Sequence, residues 1–529
     1  MLPQQATIQP VPFPAPIKGI DSITSLMMLD PTNCIYSKNI DASAFGMVVR
    51  TGFTQYADDL TGDVGTIIPY LGRAEDGSED FLFACTPAGI WDVSTVPTTP
   101  TKDYTWVTST SSPAGFCSYD TFTNDAGARI LLVADEANGL VNYVESTQTW
   151  AVPTITGATA ADLVHVASWK NRVWYVEKGT NKAWYTAAGA FSGTVTSFNF
   201  GSKFSKGGYL KSIHRWTLDS GSGPDDYLVA LSSAGDVVVY QGTDPSSAST
   251  FSIIGVFYVG EFPIGRHVGY DFGGDLLLLS SYGIVRCSDL MKGANPFSYE
   301  GSLSYKINRD MNSLIKQTIA SRGWGIVVQP DLAKIIVTTP KLTNALHTQF
   351  VYDINLEAWS VWTGIPMASA DTFNNVLYAG YGTSVYKLAG SVDDLTTLTT
   401  PAINPVNWSF LTGYSDLGSP EMNKVVELVR PRFTSGGEPV YLAKAYYDYD
   451  LSNIVAASGT PNSTIPIWDT DLWDTAIWGG TSATFESIYG ASGEGKNVAL
   501  AMSGVSSTPT VYIGSGLLIR SAINSRGLL

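Results

Sequence analysis

The 529-residue chain is short of charge: charged residues make up 15% of it, against about 25% in an average soluble protein. The shortage falls on the basic side, with 31 Lys and Arg against 47 Asp and Glu and a net charge of −16. So few cations cannot neutralise many phosphates, which argues against tight wrapping of nucleic acid through a broad basic face. Cysteine is scarce too. Cys34, Cys85, Cys117 and Cys287 lie far apart with no CxxC pair, so neither a zinc site nor a disulfide framework is indicated. Reduced thiols in a protein assembled in cytosol are expected. Long apolar runs are missing: stretches such as Leu276–Leu279 are far too short to span a bilayer. Residues 1–19 are Pro-rich without the basic and then apolar pattern of a signal peptide. The expectation is a chain with no membrane span and no export signal.

What is present is 44% apolar residues, 51 Gly, 27 Pro, 14 Trp, 27 Tyr and 21 Phe, with long Ser/Thr runs. That composition fits neither disorder nor a helical protein and predicts a large all-β globule.

From about residue 61 to 400 one unit recurs: a short apolar strand, a turn, then a strand carrying an aromatic. Examples are FLFAC (81–85) before Trp91, ILLVA (130–134) before Tyr143, VHVA (164–167) before Trp174, and YLVAL (227–231) before Tyr240. KIIV (334–337) precedes Tyr352, and VLYA (376–379) precedes Tyr386. With Leu276–Leu279 this makes seven occurrences, near 48 residues apiece, the period of a propeller blade. Tyr143 and Trp150 are separated by seven residues, as are Tyr352 and Trp359, which suits the outer hairpin of a blade. The prediction is an all-β fold: a β-propeller of about six to eight blades with an additional C-terminal β-sandwich or platform module. Its divisions are 1–60, an extended arm and platform segment; 61–400, the propeller; and 401–529, the C-terminal β module. A β-sandwich with similar hairpins is the competing reading. The aromatics Trp91, Tyr143, Trp150, Trp174, Tyr240, Tyr352, Trp359 and Tyr386 are the candidate structural residues of the blades. One amphipathic helix is predicted over 311–322, capped by Asp310 and read as a crossover between blades.

Signals of chemistry are weak. Gly490–Asn497 (GASGEGKN) fits the GxxxxGK part of a phosphate-binding loop, but Asn497 stands where Ser or Thr is needed and a β-like stretch follows, so a Gly-rich hairpin turn is preferred. His165, His214, His267 and His347 are isolated in sequence and read as scattered, satisfied histidines. Asp225, Asp226, Asp275 and Asp353 are available as carboxylates for glycoside hydrolysis, and nothing pairs them. Asp448 and Asp450 alternate on an expected strand face. Between Glu438 and Gly490 seven acids face Lys444 alone; this is either an ordinary solvated face or a functional surface. No catalytic, cofactor-binding or metal-binding residue is assigned.

Several short motifs carry a family resemblance: PAPIKGID (14–21), Asn39–Asp41, GMVVRTGF (46–53), VASWKNRVWYV (166–176) with KAWY (182–185), Val351–Asp353 leading to WSVW (359–362), TGYSDLG (412–418), and Asn423–Lys424. With these the chain resembles the tail nozzle, or tail hub, proteins of short-tailed bacteriophages, the group that includes the packaged-DNA stabilisation proteins. The resemblance implies a non-enzymatic virion protein of the tail, assembled in the host cytoplasm. It implies a homohexamer below the portal adaptor, with a propeller in each subunit and a platform built from N- and C-terminal segments. Its partners would be the adaptor, a tail fibre, tailspike or tail-tip protein, and double-stranded DNA passing without tight binding. On this reading Asp469, Asp471 and Asp474 are candidate channel-lining acids, since an acidic lumen repels phosphates. A propeller-fold glycan-active hydrolase or lectin is the alternative.

Overall fold

The computed structural model describes residues 7–95, 100–219, 224–298, 301–340, 347–388, 392, 394, 404–451 and 483–522. Seven antiparallel sheets succeed one another along the chain from Thr66 to Leu388. Five are four-stranded, Gly325–Thr363 supplies four strands of a larger sheet, and Gly269–Arg286 has three strands. The first strands of these sheets are Thr66–Tyr70, Cys117–Thr123, Leu163–Trp169, Leu210–Asp219, Gly269–Phe272, Gly325–Gln329 and Ser369–Phe373. They pack side by side in that order, and the last returns to the first. The sheets are therefore the blades of a closed β-propeller, numbered 1 to 7 below.

The apolar runs legible in the sequence are the second strands of the blades, except in blade 3, where the run 164–167 lies in the first. A strand sandwiched between two neighbouring blades is buried on both faces, so it cannot alternate with polar residues. Leu131–Ala134 and Leu228–Leu231 are fully buried in this way. An apolar core fills each gap between blades, and the one between blades 5 and 6 is continuous with the core of the remaining strands. Ile68, Tyr70 and Phe83 of blade 1 pack on Leu131, Val133 and Tyr143 of blade 2. The ring closes where Phe373, Tyr378 and Val385 of blade 7 meet Ile67, Leu82 and Ala84 of blade 1.

The eight aromatics named from the sequence all lie on blade strands. Tyr143 pairs directly with Trp150, and Tyr352 with Trp359, in the outer hairpins of blades 2 and 6. The outer strand of blade 7 comes from upstream: Thr54–Ala57 pairs with Ser384–Leu388, so part of the segment 1–60 belongs to the propeller.

The remaining strands form a two-layer sandwich fused to blade 6. Its outer strand Ala358–Thr363 is followed across the sheet by Cys34–Lys38, Val406–Thr412, Val498–Ser506 and Val440–Tyr447. The second layer combines Thr7–Pro14, Ile40–Ser43 and Gly46–Val49 with Asn423–Ser435, Thr510–Ala522 and Ala483–Glu486. Trp408, Phe410, Phe433, Tyr441 and Tyr512 fill the space between the layers. The C-terminal β module thus exists, with N-terminal strands woven into it.

Two local expectations change, and the proline-rich arm finds its partner. The proline-rich arm is extended, but it lies on its own chain, with Thr7–Pro14 pairing along 514–521. Pro10, Pro12 and Pro14 alternate, so the N–H groups they lack all fall on one edge, while Gln9, Val11 and Phe13 direct theirs toward the partner strand. The helix spans Asn308–Thr318 and starts directly from the turn Tyr305–Ile307, so Asp310 lies in its first turn and caps nothing. Asp448 falls in a turn after Tyr447, with φ +48°, where its carboxylate accepts the N–H groups of Lys496 and Asn497.

Candidate functional site

The seven first strands surround an axial channel of about 260 Å³. Each blade contributes side chains to it from a strand running in the same sense, so residues at equivalent positions form layers along the axis. The beginnings of the strands supply a basic end. Arg266, Arg322 and Glu136 line it, and Lys211 is buried beside them. Glu136 accepts Arg322 Nε and Nη2 at 2.9 and 2.6 Å, and Arg266 Nε stands 3.7 Å from its other oxygen. Arg266 also donates to the backbone carbonyl of Lys211. Burial and the neighbouring Arg266 bring the Lys211 ammonium down to about 7.

The middle layer holds His165, His214 and His267. His165 Nε2 lies 2.7 Å from the carbonyl of Ile213, which can only accept, so Nε2 carries the proton and Nδ1 accepts from Ser118 Oγ at 2.6 Å. The Ser118–His165 pair has the distance of a nucleophile and base, but both residues are 4% exposed. Burial also holds His165 well below its ordinary value, which makes it a poor general base near neutrality. His214 is lowered to about 4 by burial and by His267, and donates to or accepts from Ser212 Oγ at 3.0 Å. His267 Nε2 meets the carbonyl of Cys117 at 2.7 Å.

The far end is acidic, with Asp120, Asp271 and Asp371. Asp371 accepts the Tyr119 hydroxyl, and burial raises its carboxyl to about 7. Burial also raises Asp271, against the pull of Arg215. Asp120 Oδ2 accepts the N–H and the hydroxyl of Ser168, and its Oδ1 accepts the N–H of Thr121.

None of this cluster was named as a site from the sequence. Three of the four histidines, read as scattered, share one channel. Of the carboxylates considered for hydrolysis, Asp275 holds Ser288 at the start of the helix Cys287–Met291, Asp353 caps the turn at Asn355 and Leu356, and Asp226 pairs with Lys170 at 3.2 Å; the side chain of Asp225 lies outside the described residues. Asp469, Asp471 and Asp474 lie outside the described residues. The GASGEGKN segment contains two-residue bridges, Tyr489–Gly490 and Glu494–Gly495, and leads into the strand Val498–Ser506. Without a helix N-terminus it lacks the cradle a phosphate needs. Among the described residues, no three His, Cys, Asp or Glu side chains are grouped to hold a metal ion, and no helix is long and apolar enough to cross a membrane.

The motif residues in the N-terminal region instead act as pins. Asn39, at φ +56°, accepts from Arg50 Nε at 3.0 Å and from Thr363 N at 2.8 Å, and donates to the carbonyl of Asn407 at 2.8 Å. The buried Arg50 grips Asp394 through two bonds of 2.9 and 2.7 Å. Asp41 collects Ser360, Trp362 and Lys334 of blade 6. Lys424, wholly buried, donates to the carbonyls of Ser419, Met422 and Lys496.

No family model matches the sequence, and no curated protein matches it. Among solved structures, the chain is similar to the Cps50 (Swd1) β-propeller domain of Myceliophteria thermophila, at 10% identity and a TM-score of 0.38 over 63% of this chain and 99% of that one.

Proposed function

We propose that this chain is a structural virion protein, the tail nozzle of a short-tailed bacteriophage, assembling as a homohexamer that forms and closes the DNA ejection channel. The observation that carries this reading is the interleaving of both chain regions in one platform. The resemblance calls for a platform of N- and C-terminal segments beside a propeller; here Thr7–Pro14 and Cys34–Lys38 pair with Thr510–Ala522 and Val406–Thr412, and Asn39, from a resembling motif, donates to the carbonyl of Asn407. DNA would pass between subunits rather than through the propeller, whose axial channel of about 260 Å³ holds roughly nine waters at ~30 Å³ each. An excess of acids over bases suits such a wall, because phosphates slide past it without releasing bound counterions. The portal adaptor and a fibre, tailspike or tip protein are the proposed neighbours.

Mass measurement of the purified protein with its adaptor should give a sixfold ring with a central hole; a stable monomer under those conditions would defeat the proposal. Replacing Asp469, Asp471 and Asp474 with Lys should leave ring assembly intact and slow or stall DNA release. Normal release from charge-reversed rings would remove these residues from the lumen.

The acidic end of the axial channel favours one second reading, a glycan-active hydrolase. Asp371, raised to about 7 and bonded to Tyr119, has the protonation a general acid needs. Turnover of a bacterial surface polysaccharide that vanishes in Asp371→Asn would establish it; no turnover across a panel of capsules would discard it.

A further inference from the structure

The basic end of the axial channel contains more positive charge than the protein balances. Arg266 and Arg322 line it from the loops that lead into blades 5 and 6, and Lys211 of blade 4 is buried beside them. Lys211 is 2% exposed, and the side chains of Arg266 and Arg322 are 9% and 24% exposed. Glu136 is the only carboxylate within 4 Å of any of the three among the described residues, and both arginines share it. The Lys211 ammonium has no hydrogen-bond or ion-pair partner among the described residues. Lys178, more exposed, adds a fourth cation by donating to the backbone carbonyl of Glu136 at 2.9 Å.

Buried charges in proteins are paired or give up their charge, because removing an ion from water without compensation costs several kcal/mol; Lys211 does so in part, but two guanidinium groups on one carboxylate remain one charge in excess. The acids at the other end cannot serve. Asp271 stands 3.9 Å from Arg215, and Asp371 is occupied by Tyr119. Nor can Asp135, next to Glu136 in sequence, since its carboxylate faces Gly115 N and Asn138. Gly65, Gly265 and Gly323 line this end; Gly65 and Gly323 pack against the backbone of Gly115 and Pro340, whereas Gly265 faces open space. At Gly265, φ is +106° and an added Cβ would meet nothing within 4 Å.

We propose that this end of the channel is a binding site for a small tetrahedral oxyanion, inorganic phosphate or sulfate, held by the Lys211 ammonium and the guanidinium groups of Arg266 and Arg322. Arg322 is fixed for the task by Glu136 and by Phe116, over whose ring its guanidinium lies at 5.7 Å. Arg266 is fixed by its bond to the Lys211 carbonyl. A bound anion ties blades 4, 5 and 6 to the blade 2 loop that holds Glu136, so it bridges one end of the ring. The inference is independent of what the assembled protein does.

Phosphate titrated into the full chain at constant ionic strength, with chloride as the balancing anion, should bind saturably at about one per chain. Binding is read by calorimetry and by broadening of the ³¹P resonance. Lys211→Met should weaken phosphate binding at least tenfold, and Lys211→Arg should restore most of it. Equal affinity in wild type and a folded Lys211→Met chain would overturn the assignment. So would the absence of saturable ³¹P broadening in the wild type, a result that needs no variant to fold.

Discussion

Asp371 and the channel histidines pull stability in opposite directions with pH. A carboxyl raised to about 7 in the folded chain and titrating near 4 when unfolded binds more protons when folded. Its contribution is therefore complete below about pH 4 and is lost as pH rises through 7. The histidines are depressed by burial, His214 to about 4, so their contribution is present above about pH 6.5 and is lost as pH falls. The two effects overlap and mask one another in the wild type. Asp371→Asn keeps a side chain that can bond Tyr119 and removes the titration. Its stability relative to wild type should rise between pH 4 and 7, by on the order of 1–2 kcal/mol once screening by channel water is allowed for. Parallel curves would show that Asp371 is charged throughout. Glu136→Gln should be far more damaging, since it strips the one carboxylate from two arginines: about 3–5 kcal/mol, read by urea unfolding. Adding Lys211→Met to that variant should recover part of the loss.

The elements explain what could be read in advance. Inner blade strands buried on both faces print as apolar runs, and the Tyr143–Trp150 and Tyr352–Trp359 spacings are cross-strand pairs. The channel was hidden because each blade places only a short run of residues in it, about one blade length from the next run. His165, His214 and His267 are 49 and 53 residues apart, which is one blade each, and only reading the histidines against the blade period would have grouped them. The N-terminal strand was legible as extended from its prolines; its partner, more than 500 residues away, was not. Gly19 marks the joint between that segment and blade 6. At φ +69°, an added Cβ would lie 2.6 Å from the carbonyl oxygen and 2.7 Å from the amide nitrogen of Trp359. Gly19→Ala should cost about 1–3 kcal/mol, seen as a lowered thermal midpoint, whereas Gly179→Ala, also at positive φ but with open space around it, should cost less. The prolines also have a protective role. Replacing Pro10, Pro12 and Pro14 with Thr restores three N–H donors along a free sheet edge and should produce concentration-dependent aggregation by light scattering.

On the scale of the whole molecule, three closures join distant parts of the chain. Thr54–Ala57 completes blade 7, Cys34–Lys38 extends the blade 6 sheet, and Thr7–Pro14 lines Thr510–Ala522. A chain lacking residues 1–53 should therefore lose the sandwich while keeping all seven blades, and limited proteolysis should release the region after residue 400 first. Cleavage scattered through the blades instead would mean that propeller and sandwich unfold as one.

The pairing of Thr7 with Ser521 also sets a clock. A ribosome adding roughly 5–20 residues per second needs about 25–100 s to travel from one to the other. For that interval the first strand is outside the ribosome with no partner, and blade 7 stays open until residue 388 has emerged. The proline-studded edge is thus in place when a growing chain is most exposed to its neighbours on the same message, well before the folded protein has any edge to defend.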